Sequence, residues 1–203
     1  MEINFIFQIA VIIVSIVFHE VSHGYAAYFL GDPTAKYEGR LTLNPLKHLE
    51  LFGSIIVPIL TYLMGGIVFG WAKPVPYKPY NLKIPKYGEV IVALAGPVSN
   101  LLIAGVFALY FRSLGALALD TPSGHLALLI ITVNITLAVF NMMPIPPLDG
   151  YKVFGGLLPY RLRYIKDFIE KNMLLFVVIF IFTFSMILDP MVFWLIKLFT
   201  GVN

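Results

Sequence analysis

The chain has 203 residues, 59% of them hydrophobic and 12% charged, with mean hydropathy +0.88 and no cysteine. Soluble domains run at about 45–50% apolar and about 25% charged, so this composition excludes an ordinary soluble globular protein and predicts a polytopic membrane protein. Disulfides are excluded, any metal site must be built from His, Asp or Glu, and the net charge of +3 calls for no nucleic-acid partner, because basic residues in a membrane protein mark its cytoplasmic side.

Residues 3–30 form an apolar run long enough for a first transmembrane helix. Glu2 is its only early charge, so it lacks the basic start of a signal peptide and is expected to be retained. Inside it stands His19-Glu20-Val21-Ser22-His23. Histidines at i and i+4 lie one turn apart on one helix face, where both imidazoles can reach one cation. A glutamate directly after the first can sit beside the metal and handle protons without ligating it. This is the H-E-x-x-H pattern of zinc hydrolases. The plainer reading is a polar cluster that packs helices, but three ionisable groups in five residues exceed what packing needs in a membrane.

Gly31-Asp32-Pro33 ends the helix. Residues 31–50 are polar. Residues 51–64 are apolar but short for a span, broken by Pro58 and followed by Gly65-Gly66. Residues 67–87 are rich in Pro and Tyr, which predicts extended or turn structure. Residues 88–111 form a second clear span and residues 125–140 a third helix, with Asn134 inside it. Residues 141–150 break that helix with three prolines. Residues 151–171 are basic and amphipathic. A last apolar block, 173–188, is interrupted by Asp189-Pro190 and continues over 191–199. The fold expected is an all-α polytopic membrane protein of about four to five transmembrane helices, a single domain over 1–203, with a re-entrant or extended insert after the first helix.

Charge decides between two topologies. If 51–70 dip into the bilayer and return, twelve basic residues of 31–87 and 152–171 share one side, and only Arg112 and Lys197 lie opposite. If they cross, the split is nine against five. The positive-inside rule favours the first. Re-entrant backbone must then be shielded by protein or line a wet cavity. The N-terminus lies outside in this arrangement. His19 falls about 22 Å along the helix, within roughly 8 Å of the cytoplasmic boundary.

A catalytic zinc takes three protein ligands and keeps one position open. For the third, Asp149 is the first candidate, because it follows a proline-rich break at a helix end. Its residue type equally suits an N-cap for a helix starting at Gly150. Glu89 and His125 sit at helix ends and rank lower, and His48 reads as a loop histidine in a wet, basic segment. Small residues and Asn100 in the second span suit close helix packing.

The order His19-Glu20-x-x-His23, Gly96-Pro97-x-x-Asn100 and Asn141…Pro144-x-Pro146-Pro147-Leu148-Asp149-Gly150 resembles the site-2 protease family of intramembrane zinc metalloproteases, over about residues 8–157. The resemblance implies one zinc per chain held by His19, His23 and Asp149, with Glu20 as catalytic base. It implies that Asn141 holds the substrate backbone or the transition state and that Asn100 supports the site. It is to a small form, with no room for a PDZ or CBS domain, and the insert at 43–66 is longer than the family pattern leads one to expect. The substrate implied is a transmembrane protein, cut within or beside its membrane segment by an enzyme of the cell membrane that opens to the cytoplasm. An extended 67–82 segment, with 141–148 as a second edge, would hold such a substrate by β-augmentation; an interfacial Tyr/Trp loop is the alternative. A different class of function, a metal transporter or an inactive scaffold, sits less well with ionisable groups gathered at one depth.

Overall fold

The computed structural model describes residues 5–50, 52–56, 60, 63 and 72–202. Its helices with described bounds are α1 (Phe5–Phe29), α2 (Thr34–Tyr37), α3 (Gly88–Ser113), α4 (Pro122–Asn141), α5 (Asp149–Leu157), α6 (Arg163–Lys171) and α7 (Met173–Thr200). Among the described residues there is no strand. Phe7–Phe29 of α1, α3 and α4 are each long and apolar enough to cross a membrane. With 28 residues, or about 42 Å at the usual rise, α7 has the length for a fourth.

The helices start and stop where local chemistry requires. Gly31 has φ +104°, the left-handed turn that closes α1. The Asp32 N–H then reaches Ala27 O at 2.9 Å and the Gly31 N–H reaches Tyr28 O at 3.0 Å, the bond pair of a Schellman cap. At the head of α4, Thr121 Oγ1 accepts from Gly124 N–H at 3.2 Å and Pro122 fills the first turn. Gly201 at φ +75° closes α7.

Three buried ridges at i, i+4 spacing organise the bundle. On α1 the ridge is Ser15, His19, His23 and Ala27; on α3 it is Val92, Gly96, Asn100, Ala104 and Ala108; on α4 it is Ala127, Ile131 and Ile135, with buried Asn134 next to it. Central α3 packs against α1, α4, α5 and α7. Its small residues let neighbouring backbones approach, which is how helices associate in lipid, where apolar burial gives little drive. An apolar core is formed by Ala104, Ala108, Phe111, Ile131, Ile135, Val139, Phe180 and Leu188. Ser15, His19, His23, Asn100 and Asn134 are among the buried polar residues of the bundle. Leu102, Val106, Leu109 and Trp194 are exposed, as lipid-facing side chains are.

The non-helical segment 72–78 lies across the end of α1. Lys73 N–H bonds His48 O at 2.9 Å, and Arg40 Nη2 bonds Lys73 O at 2.8 Å while its Nη1 bonds Lys47 O. Buried Asp32 accepts from Lys78 N–H at 2.6 Å, Asn81 Nδ2 at 2.8 Å and Thr34 Oγ1 at 2.6 Å. Burial alone would raise its pKa, but the hydrogen bonds from Asn81, Thr34 and Lys78 hold it below the usual carboxylate range.

Several expectations change. Asp189-Pro190 does not break the last helix; α7 runs through it, as prolines in membrane helices commonly allow. Basic, amphipathic residues 151–171 divide between two helices: α5 stops at Leu157 and α6 begins at Arg163 after a 3-10 turn at Tyr160–Leu162. Residues 142–148 are not an extended edge: they fold into tight turns, with Ile145 N–H on Met143 O at 2.8 Å and Leu148 N–H on Ile145 O at 2.9 Å. His48 is buried, not wet, its Nε2 2.8 Å from Thr42 O. Phe52–Ile56 form a π-helical turn. The rest of the re-entrant expectation for 51–70, and residues 67–71 of the proposed substrate edge, fall almost wholly outside the described residues.

Candidate metal centre

His19 and His23 point from the inner ridge of α1 toward the start of α5. Asp149 arrives there because α5 begins against the end of α4. A Cβ at Gly150 would stand 2.1 Å from Met142 O and 2.6 Å from Met143 O, so only glycine lets the chain turn this tightly. The N-cap reading of Asp149 does not hold. Leu148 is the cap residue, and Asp149 is the buried first residue of α5 with its carboxylate on the histidines.

The three candidate ligand atoms converge. His19 Nε2 and His23 Nε2 are 3.0 Å apart, and each lies 3.1 Å from Asp149 Oδ2. All three residues are buried. A tetrahedral zinc at ~2.0–2.1 Å from its ligands sets them about 3.3 Å apart, close to the spacing found. The second oxygen, Oδ1, faces Lys152 Nζ at 3.6 Å.

The other ring nitrogens establish what the converging atoms are. His23 Nδ1 lies 2.6 Å from Val92 O. A carbonyl only accepts, so Nδ1 carries the proton. His19 Nδ1 lies 2.6 Å from Asn100 Oδ1 and is likewise the donor. If both imidazoles are neutral, as metal ligation requires, their Nε2 atoms then present lone pairs beside a carboxylate oxygen. Three acceptors within about 3 Å of one another repel unless positive charge lies between them. The donor set therefore fits a cation, and the outer hydrogen bonds fix its ligands as second-layer partners of metal sites do.

Gly96 makes this approach possible. A Cβ there would be 2.4 Å from His23 Nε2 and 2.6 Å from His19 Cε1, so the α3 backbone lies flat against both rings. Pro97 removes the N–H that would bond Ala93 O and loosens that turn, next to the Val92 carbonyl that receives His23.

Glu20 lies beside the centre without joining the three; its Oε2 accepts the Val75 N–H at 2.9 Å. Asn141 closes α4 and turns its Nδ2 back to Leu137 O at 2.9 Å, with no hydrogen bond to the cluster. Glu89 lies 3.5 Å from Tyr77 OH and His125 bonds Thr121 O, and neither joins the group of three. Asn134 and Ser15, assigned no role from sequence, stand behind His19: Asn100 Nδ2 donates to Asn134 Oδ1 at 2.8 Å, and Asn134 Nδ2 reaches Ser15 Oγ at 3.0 Å. The cost of an asparagine in an apolar helix was the one available signal.

A family model described as peptidase family M50 matches residues 115–185, which include Asn134, Asn141 and Asp149. "Putative zinc metalloprotease YwhC" of Bacillus subtilis is 41% identical over 163 residues, covering 77% of this chain and 71% of that protein. "Putative zinc metalloprotease MJ0611" of Methanocaldococcus jannaschii is 34% identical over 161 residues, 72% of each chain. "Putative zinc metalloprotease Rip2" of Mycolicibacterium smegmatis is 34% identical over 156 residues, with 77% of this chain matching 58% of that protein. No solved structure matches the chain.

Proposed function

This chain is a member of peptidase family M50, the site-2 protease family of zinc metalloproteases, and from that membership we propose that it cuts peptide bonds within or beside a transmembrane segment of a membrane-protein substrate. The observation that carries this reading is the convergence of His19 Nε2, His23 Nε2 and Asp149 Oδ2 at 3.0–3.1 Å, with both histidines on a helix of membrane-spanning character.

His19, His23 and Asp149 are the residues that would hold zinc. When bound, zinc supplies a Lewis acid that polarises a peptide carbonyl and acidifies water. Glu20 takes the proton of the attacking water and passes it to the leaving amine. The Val75 N–H on its Oε2 fixes the direction of the carboxylate. Val92 O and Asn100 hold the imidazoles in the tautomer whose Nε2 binds metal. Asn141, carried by the family resemblance, engages the substrate backbone. Segment 72–78, already seated across α1, forms the wall along which an extended substrate runs.

Removing one ligand tests the assignment. Asp149→Ala is expected to lower zinc content of the purified protein well below one per chain, as are His19→Ala and His23→Ala, while wild type cleaves members of a panel of single-span substrates. Full zinc and full activity in Asp149→Ala would remove it from the ligand set.

The reading also places residues 1–203 in one domain of the cell membrane, with 31–87 and 152–171 on the cytoplasmic face and the site opening there. The chain has no cysteine, so single cysteines at exposed Lys36, Lys78 and Arg163 report sidedness directly. All three are expected to label from the cytoplasmic side. Lys36 and Lys78 labelling from opposite sides would mean that 51–70 cross the bilayer.

A further inference from the structure

Behind His19 runs a chain of hydrogen bonds with only one possible direction. Ile130 O, in α4, only accepts, so the Asn134 atom 2.9 Å from it is the Nδ2 donor. Asn134 Oδ1 therefore faces Asn100, and the atom it meets at 2.8 Å must be Nδ2. Asn100 Oδ1 is then left for His19 Nδ1 at 2.6 Å, which must carry the ring proton. Nε2 keeps its lone pair. We propose that Asn134 is a positioning residue: it sets the orientation of the Asn100 amide and, through it, the tautomer of His19. This rests on the reading of His19 as a metal ligand.

The surroundings leave little else to set that orientation. Asn100 and Asn134 have no exposed surface and Ser15 is 3% exposed, so water does not replace a lost partner. Ser15 O favours the same amide orientation, but at 3.4 Å from Asn100 Nδ2 it is a long contact. Ser15 Oγ both donates and accepts, so it suits either orientation of Asn134. Without Asn134 Oδ1, the Asn100 amide can flip and aim Nδ2 at His19 Nδ1. The ring proton then moves to Nε2 and blocks the metal. An Asn134 that merely held α4 to its neighbours would affect zinc only through stability of the fold.

The two roles separate in an Asn100→Asp background. A carboxylate has no donor face, so it presents an acceptor to His19 whichever way it turns. Zinc dissociation constants are measured by chelator competition on folded protein in one detergent. Asn134→Leu, close in volume, is expected to weaken zinc by about 10-fold, the lower end for loss of a second-layer partner. Adding the same change to Asn100→Asp is expected to weaken it no further. Wild-type affinity in Asn134→Leu, or equal weakening in both backgrounds, would overturn the proposal. If Asn134→Leu does not fold, Asn134→Ala with and without Asn100→Asp makes the same comparison. His19→Ala runs alongside: wild-type zinc affinity there would overturn the ligand reading itself, a different result from failure of the Asn134 arms.

Discussion

Gly96→Ala is expected to strip zinc from the protein while leaving it folded. The new Cβ would lie 2.4 Å from His23 Nε2 and 2.6 Å from carbon atoms of both rings, where real methyl carbons do not fit. Something must move by the better part of an ångström. If the rings turn away, their Nε2 atoms leave the point where they meet Asp149. If α3 retreats, it stretches the 2.6 Å bonds that Val92 O and Asn100 make to the same two rings, one turn to either side of Gly96. Both routes spoil the ligand set. The fold survives, because overpacking by one methyl costs about 1–3 kcal/mol. Zinc affinity is expected to fall by about 100-fold or more, beyond the usual cost of losing a second-layer partner. Gly105→Ala on the same helix is the control. Its Cβ would meet Phe199 at 3.8 Å, an ordinary contact, and zinc should be unchanged. Metal content and affinity decide the matter; wild-type zinc in Gly96→Ala would mean that the α3 backbone does not shape the centre.

The same glycine shows how far the sequence reads. In the chain, Gly96 is one small residue in an apolar helix, and close packing is the ordinary inference. That inference is right, but it does not say that the packing partner is a pair of imidazoles. His19, Glu20 and His23 are legible because helical spacing alone places them together. Asp149 is ambiguous in the sequence, since an aspartate before a helix serves equally as a cap. Only the fold brings its carboxylate 3.1 Å from both histidines, across 130 and 126 residues of chain.

Other links leave no trace in the sequence. The acceptor for His23 is a main-chain carbonyl, Val92 O, and any residue supplies one. The partner of Glu20 is a main-chain N–H, Val75, in a segment whose prolines say only that it is not helical. Asn134 stands out as a polar residue in an apolar helix, yet its partners lie on α1 and α3. The errors have the same origin. Pro190 reads as a break and His48 as solvated because local propensity is blind to the helices and loops that enclose them. Local rules find elements and the first half of the site; tertiary packing supplies the rest.

Glu20→Gln is expected to keep zinc and lose proteolysis. Glu20 is outside the group of three whose atoms converge, so no ligand is removed. Its hydrogen bond among the described residues survives too: its Oε2 accepts from the Val75 N–H at 2.9 Å, and the amide oxygen of glutamine accepts equally well. Segment 72–78 therefore stays seated, and the site keeps its shape. What the substitution removes is the capacity to take a proton. Water attacking an amide must shed one, and the leaving nitrogen must gain one. An amide side chain does neither at neutral pH, and general acid–base catalysis alone contributes about 10²–10⁴ in rate. Cleavage should fall by that factor. A protein that carries or merely stores the metal would tolerate the change, since neither task needs a proton acceptor there. The measurement is cleavage of one membrane substrate by wild type and Glu20→Gln at matched zinc content in the same detergent. Equal rates would sink the proteolytic mechanism. A large fall accompanied by loss of zinc would instead make Glu20 part of the metal's support.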